Sequence, residues 1–317
     1  MRRSLLTAAL ACVLVTGVAS EAAAAGRGPD CNGARELCQR HLDEVVLPGA
    51  HNAMSALDLG WRIPNQTLAI PDQLERGIRA LLVDTHYGRL QADGTVRTDD
   101  DGQVSVGERG LYLCHVLCEI GASPLVPVLR SIRDFIAANR TTVIVIVNED
   151  HVAPGDFAGA VEESGLGDFV YEDDPGPEWP TLRKMIASRE QVVVLAERDA
   201  GAIPWYHRAY DGVLQETPFS FPSPSLLINP ANWPLSCRPN RGGTTGSLFL
   251  LNHWSPATPP AVPDPAASAA VNAKNVILGR ARECQRLRGR MPTIIAADQV
   301  TYGGLFAAAA QLNGLAP

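Results

Sequence analysis

Six short apolar runs in this sequence each end on a residue that can titrate or ligate. The run from Val45 to Ala50 ends in His51-Asn52, and that from Ala80 to Val83 ends in Asp84-Thr85-His86. Leu111 to Cys114 ends in His115, and Val143 to Val147 ends in Asn148-Glu149-Asp150-His151. Gln191 to Ala196 ends in Glu197-Arg198, and Thr293 to Ala297 ends in Asp298. A strand must end in something polar, and that accounts for any one of these. It accounts less well for the preponderance of histidine and carboxylate. His51 and His115 lie on different runs and are suited to general acid–base chemistry near neutral pH. Gly49-Ala50 gives His51 a small-residue approach from which an imidazole projects without steric cover. No G-x-S-x-G elbow occurs, so hydrolysis by an activated serine is less attractive. One histidine alone is more often structural than catalytic, and the pair carries the reading.

The elements that must position these groups are legible as alternating patterns. Strand-like runs fall at Glu44–Leu47, Ala80–Val83, Leu111–Cys114, Thr142–Val147, Gln191–Ala196, Gly212–Leu214, Ser247–Leu251 and Thr293–Ala297. Helical patterns fall between several of them, at Ile70–Gly77, Leu125–Asn139, Asp156–Ser164, Pro180–Ser188 and Ala270–Arg288. Continuous apolar runs indicate strands buried on both faces, and helices between them indicate parallel crossovers. Eight such units predict an α/β fold, a single (β/α)8 TIM-type barrel, regular or irregular. A doubly wound sheet is the alternative, and it lacks a Gly-rich phosphate loop here. In a β/α barrel the C-terminal strand ends converge on one mouth, where catalytic groups sit.

The first residues read as an address. Arg2 and Arg3 precede an apolar stretch from Leu5 to Val18, and small residues follow at Ala19, Ser20 and Ala22 to Ala25. That is a secretory signal over residues 1–25, shorter than the roughly 20 apolar residues of a comfortable membrane span. Residues 26–317 then form one domain in an extracellular protein. The net charge of −7 argues against nucleic acid and gives no standing attraction to an anionic membrane. Of seven cysteines, Cys12 lies in the leader, and the other six suit an oxidising compartment. Sequence proximity favours Cys31–Cys38 and Cys114–Cys118, which leaves Cys237–Cys284. The rival, a zinc site at Cys114-His115-Val116-Leu117-Cys118, lacks a second C-x-x-C or paired histidines. Ser255–Pro265 is too rich in proline for a helix or a central strand and reads as a surface loop.

Leu47-Pro48-Gly49-Ala50-His51-Asn52-Ala53-Met54-Ser55 resembles the "PGTHNS" motif that opens the X region of phosphatidylinositol-specific phospholipases C. Gln73-Leu74-Glu75-Arg76-Gly77-Ile78-Arg79, followed by Leu82-Val83-Asp84, is similar to that family's second strand, and Cys114-His115 to the strand bearing its second catalytic histidine. Ile144 to His151 resembles the fourth strand. Ser236 to Gly242, Leu248 to Asn252 and Pro292 to Asp298 resemble the secreted branch of phospholipase C-like phosphodiesterases. The resemblance covers nearly the whole mature chain.

It implies a phosphodiesterase in which His51 is the general base and His115 the general acid. Asp298 would orient the base, and an inositol cyclic phosphate would be the product. Calcium would offset the charge on phosphorus, with Asn52, Asp84 and Glu149 at the ligand positions and magnesium as the alternative ion. Leu82 stands where calcium-dependent members carry a further acid, which leaves three protein ligands. Arg198, Glu197 and His86 are the nearest candidates for binding the substrate head group. Trp205, Tyr206, Trp233 and Trp254 fall in candidate mouth loops, where they would touch lipid or pack the core. The implied substrate is a phospholipid or glycosylated inositol lipid reached by transient membrane contact, and the protein is expected to be a monomer. Two other readings are a glycerophosphodiesterase or sphingomyelinase D-like barrel, whose His-Arg-Gly opening His51-Asn52-Ala53 does not match, and a non-catalytic binding protein on the same barrel.

Overall fold

Valine, isoleucine and leucine fill the apolar runs, and β-branched chains buried on both faces belong to a parallel sheet. The computed structural model describes residues 30–176, 178–255 and 264–315. The expected leader, and residues 256–263 of the expected proline-rich loop, lie outside them. Among the described residues the strands are β1 (Leu47–Ala50), β2 (Ala80–Leu90), β3 (Val96–Thr98), β4 (Glu108–Cys114), β5 (Ala122–Pro124), β6 (Ile144–Asp150), β7 (Val192–Ala196), β8 (Tyr206–Arg208), β9 (Leu214–Glu216), β10 (Leu248–Asn252) and β11 (Ile294–Ala297). Eight of them run parallel in one curled sheet, in the order β8-β7-β6-β2-β1-β11-β10-β9. The chain itself joins the two outer strands through Ala209–Val213, and no ladder bridges them among the described residues. This is the expected barrel in an irregular form, left open at one seam.

The expected run Leu111–Cys114 is not a barrel strand. It ends β4, which pairs antiparallel with the outer half of β2 from Thr85↔Leu113 to Leu90↔Glu108. The reason is the length of β2. Its first residues pair with β1 and β6, and the rest projects past the rim, where β3 and β4 form an arm on it. The missing parallel strand is β8, only three residues long and bordered by turns.

The helices are α1 (Ile70–Glu75), α2 (Leu125–Ala138), α3 (Pro154–Ser164), α4 (Leu182–Ser188), α5 (Ser225–Ile228), α6 (Trp233–Ser236), α7 (Pro265–Val271), α8 (Lys274–Arg288) and α9 (Leu305–Leu312). In α2 the buried residues Leu125, Leu129, Ile132, Phe135 and Ile136 recur at spacings of three and four, one apolar stripe facing the sheet. The single helix expected over Ala270–Arg288 is two, because Asn272-Ala273 separates α7 from α8. Strand β1 carries Gly49 because β11 lies so close. A Cβ there would sit 3.0 Å from Ile294 Cγ2 and 3.3 Å from the Ala296 backbone. Three disulfides, Cys31–Cys38, Cys114–Cys118 and Cys237–Cys284, match the expected pairing.

Alternation along the strands divides the core in two. One apolar cluster includes Leu47, Leu82, Val147, Leu195, Leu214, Leu250 and Ala296 and fills the barrel interior. The other, with Leu81, Val83, Ile146, Val194, Leu251 and Ala297, packs the outer face against the helices.

A buried guanidinium ties α8 to the end of β10. Arg280 is fully buried and donates to Ser236 Oγ at 2.9 Å, to the Ser236 carbonyl at 2.6 Å and to the Asn252 carbonyl at 2.8 Å. Its Nη1 also lies 3.1 Å from His253 Nδ1, which must accept, while His253 Nε2 donates to the Val271 carbonyl at 2.9 Å. Burial, reinforced by the Arg280 charge, pushes His253 down to about 3. The folded imidazole therefore stays neutral where the unfolded one, near 6.5, takes up a proton. Stability falls as pH drops below the unfolded value, by about 2 kcal/mol between pH 7 and pH 5. His253→Asn has no such proton and flattens that limb in urea titrations at the two pH values. Equal pH slopes for variant and wild type would place the imbalance elsewhere.

Candidate active site

Residues two apart on a strand share a face. Along the inner face, a polar residue follows the interior one two places on: His51 after Gly49, Asp84 after Leu82, Glu149 after Val147, and Glu197 after Leu195. Glu216 follows Leu214, Asn252 follows Leu250, and Asp298 follows Ala296. The polar residues thus form a ring above an apolar floor. Inside it lies a cavity of about 210 Å³ whose lining includes His51, Asn52, Asp84, Glu149, Arg241 and Trp254.

His51 leaves β1 with its Nδ1 2.8 Å from Asp298 Oδ1. Asn65 Nδ2 donates to the same oxygen at 3.0 Å, which fixes the carboxylate. With Nδ1 donating to Asp298, Nε2 is the basic nitrogen. The indole of Trp254 stacks on the His51 ring, centroids 3.6 Å apart and planes within 6°. His115 is not itself in the lining but contacts two residues that are, Asp84 and Asn52, and its ring centroid lies 6.5 Å from that of His51. Its Nδ1 lies 2.9 Å from Asp84 Oδ2, and its Nε2 lies 3.4 Å from Asn52 Nδ2. Burial pulls the His115 pKa down, but the hydrogen bond and charge of Asp84, with Asp298 and Glu149 behind it, outweigh that and leave it raised. Each histidine thus has its own aspartate.

The backbone turns sharply after each of these groups. Asn52 (φ 44°), Val116 (φ 63°) and Gln299 (φ 49°), the residues following His51, His115 and Asp298, are all left-handed. That region is costly for a β-branched residue such as Val116, and such conformations persist only where the surroundings over-determine them. Around Val116 the constraint is covalent, because the Cys114–Cys118 disulfide closes the loop that presents His115.

The three residues expected at an ion all line the cavity, and Asp84 pairs with Glu149 across β2 and β6. Glu149 Oε1 meets His151 Nε2 at 3.0 Å and Arg198 Nη2 at 3.5 Å. The His151 hydrogen bond above all holds the Glu149 carboxyl down at about 2. Asp84, Glu149, Glu197 and Glu216 put four carboxylates in the lining against one guanidinium. That excess of negative charge, and the hard oxygens of Asn52, Asp84 and Glu149, suit a calcium-type cation.

The candidates for head-group binding divide. Glu197 lines the cavity; Arg198 and His86 are not in its lining. Arg198 is exposed and reaches outward to Glu149, and His86 belongs to the part of β2 beyond the rim. The guanidinium in the cavity is that of Arg241, which sequence reasoning missed. It donates to Glu197 Oε2 at 2.5 Å through Nη1 and to Glu216 Oε1 at 2.7 Å through Nε. It also stacks over the Tyr210 ring at 4.3 Å. Burial works to lower the Arg241 pKa, and the carboxylates around it more than reverse that, leaving it raised. Burial, with Glu149 and Glu216 adding, pushes the Glu197 carboxyl up against the pull of Arg241. Glu216 was findable, since it ends β9 as Glu197 ends β7. Of the flagged aromatics only Trp254 lines the cavity. Tyr206 is buried against Phe157, Trp205 packs on the core, and Trp233 donates to the Leu227 carbonyl.

The family profile of the PI-PLC X domain matches residues 37–313. A relative named "PI-PLC X domain-containing protein 1", from Arthroderma benhamiae, is 25% identical over 300 residues, 90% of each chain. A second protein of that fungus, named "Uncharacterized secreted protein", is 30% identical over 199 residues, 60% of this chain and 40% of its own. Among solved structures, the phosphatidylinositol-specific phospholipase C of Listeria monocytogenes is similar in fold, with a TM-score of 0.52 and 16% identity over 88% of this chain and 96% of that one. A variant of the Staphylococcus aureus enzyme gives a TM-score of 0.55 at 11% identity, over 88% of this chain and 95% of that one.

Proposed function

Because this chain belongs to the PI-PLC X family, we propose that it is a secreted phosphodiesterase acting on phosphatidylinositol or a glycosylated inositol lipid. One observation carries the reading: two imidazoles, each hydrogen-bonded to its own aspartate, have ring centroids 6.5 Å apart, with His51 lining the cavity and His115 against its lining residues Asp84 and Asn52. His51 Nε2 takes the proton of the inositol 2-hydroxyl, whose oxygen attacks phosphorus. His115 gives its proton to the glycerol oxygen as the P–O bond to diacylglycerol breaks. The product is an inositol cyclic phosphate, which water can open later. Asp298 holds the tautomer of the base and stabilises the imidazolium formed on it, and Asp84 keeps the acid charged. A calcium ion, with magnesium as the alternative, would be held by Asn52, Asp84 and Glu149 and would offset the charge on phosphorus. The excess of carboxylates in the lining supports this, since an anionic phosphodiester enters such a cavity only beside a cation. The exposed apolar residues Leu57, Leu59, Val116 and Leu117, on segments that follow His51 and His115, support transient contact with a lipid surface.

The test uses phosphatidylinositol vesicles with calcium, magnesium or excess chelator. Inositol cyclic phosphate is expected, with turnover at least about tenfold lower in chelator and restored by calcium. Asp84 serves both His115 and the ion, so Glu149→Gln is the cleaner variant and should raise the calcium needed for half activity. Full turnover in chelator with an unchanged Glu149→Gln would remove the ion and leave the histidine pair. No product from either lipid class would sink the phosphodiesterase reading.

A further inference from the structure

Two residues beyond the Asp84–Glu149 pair come His86, on β2, and His151, the residue just past β6, whose backbone N–H donates to the Thr85 carbonyl at 2.9 Å. Their rings stack with centroids 4.1 Å apart and planes within 14°. Asp100, in the segment between β3 and β4, brings its Oδ2 to 2.7 Å from His86 Nδ1. One donor atom from each of His86, Asp100 and His151 lies within 4.8 Å of the others. His86 is 2% exposed, and its Nε2 is buried without a hydrogen-bond partner. With Nδ1 turned to Asp100, an ion shared by the two would take the lone pair of Nδ1, and Nε2 would keep the ring proton.

We propose that His86, Asp100 and His151 form a second cation site, outside the catalytic cavity, for a divalent ion of the zinc class. Two imidazoles and one carboxylate suit such borderline ions, whereas calcium takes oxygen ligands throughout. The surroundings fit as well. Metal-bound histidines usually give their second ring nitrogen to a carboxylate, and His151 Nε2 already meets Glu149 Oε1 at 3.0 Å. That leaves His151 Nδ1 for the ion. Zinc–ligand bonds of about 2.0–2.2 Å require the three donors to draw together. Asp100 is partly exposed and can keep its Oδ1 on the Tyr87 backbone N–H at 3.0 Å, while the half-buried His151 ring must turn out of its stack on His86, because face-to-face rings cannot both aim an in-plane lone pair at one ion. The ion would join β2, β6 and the arm that carries His115.

The experiment is a zinc titration of the metal-stripped secreted chain against a chromophoric competing chelator. One zinc ion per chain is expected, undisturbed by excess calcium. Asp100→Asn and His151→Gln should each weaken binding at least about tenfold, and Glu149→Gln, through His151, by about 10- to 100-fold. Asp100→Asn alters a partly exposed side chain, and its circular dichroism and melting should match the wild type without zinc. His51→Ala should bind zinc like the wild type. Absence of stoichiometric binding, or equal affinity in Asp100→Asn and wild type, overturns the proposal. Loss of zinc in His51→Ala alone also overturns it, by placing the ion in the catalytic cavity.

Discussion

His51→Ala and His115→Ala each lower the release of inositol phosphate from phosphatidylinositol vesicles by about 10²- to 10⁴-fold, the usual contribution of a positioned acid or base. The two losses should not add in full, because a base without its acid partner cannot complete the transfer. His51→Ala leaves Asp298 bonded to Asn65 and Trp254 without its stacking partner. His115→Ala leaves Asp84 beside Glu149 with no imidazole on it, so His115→Gln is the control that keeps a hydrogen bond at that position. Melting curves near wild type confine the effect to chemistry. Either alanine variant retaining more than about half of the wild-type rate, far from the general acid–base range, would remove that residue from the mechanism.

Arg241→Met should be the most damaging single change to stability, at about 3 to 5 kcal/mol, because it breaks a buried ion pair and leaves the other charges in place. Glu216 is fully buried and Glu197 nearly so, and both carboxylates pair with this one guanidinium, although the Tyr210 hydroxyl also reaches both and Asn240 and Asn252 donate to Glu216. Water reaches part of Arg241 itself, which favours the lower end of that range. Without it, burial acts unopposed on the Glu197 carboxyl, which is raised even beside Arg241. The folded variant then binds more protons than folded wild type, so its stability falls less steeply than that of wild type as pH drops from 7 toward 5. His253 acts in the other sense in both proteins, so the readout is the difference between their pH slopes. Arg241→Lys keeps the charge but loses the fork that spans both carboxylates, and should fall between. Urea titrations of the three proteins at two pH values read all of this. A Met variant within about 1 kcal/mol of wild type would show that the two carboxyls do not need their cation.

The sequence displays what repeats along a strand and hides what depends on where a strand stops. The runs now seen as β6, β7, β10 and β11 are legible because each is buried on both faces, and the inner-face residue just past them supplies Asp298, Glu149 and Glu197. Periodicity cannot reveal that β2 outruns the barrel. For that reason His86 looked like a mouth residue, and Leu111–Cys114 looked like a parallel strand when it folds back antiparallel on β2. His115 reaches the site all the same, because the fold-back returns the end of β4 to Thr85, beside Asp84. β8 has three residues, too few for any pattern. Arg241 comes from a turn after no strand, within a segment whose likeness to a family could be seen but whose role could not. Its partners Glu197 and Glu216 were each one strand end away, and only the curl of the sheet brings them to one guanidinium.

The place of β1 in the middle of the sheet has a consequence for how the chain is made. β1 pairs with β11, and the bond between His51 and Asp298 joins residues 247 apart. Contacts so distant in sequence are slow to form, because the loop they close must be ordered first. A chain emerging from its N-terminus delivers His51 early and Asp298, whose carboxylate meets the His51 Nδ1, 247 residues later. Cut before Thr293, it has no β11, β1 has lost a neighbour, and His51 has no acceptor for Nδ1. The contact between His51 and Asp298 therefore forms only after β11 has been made, and a chain cut before Thr293 lacks it.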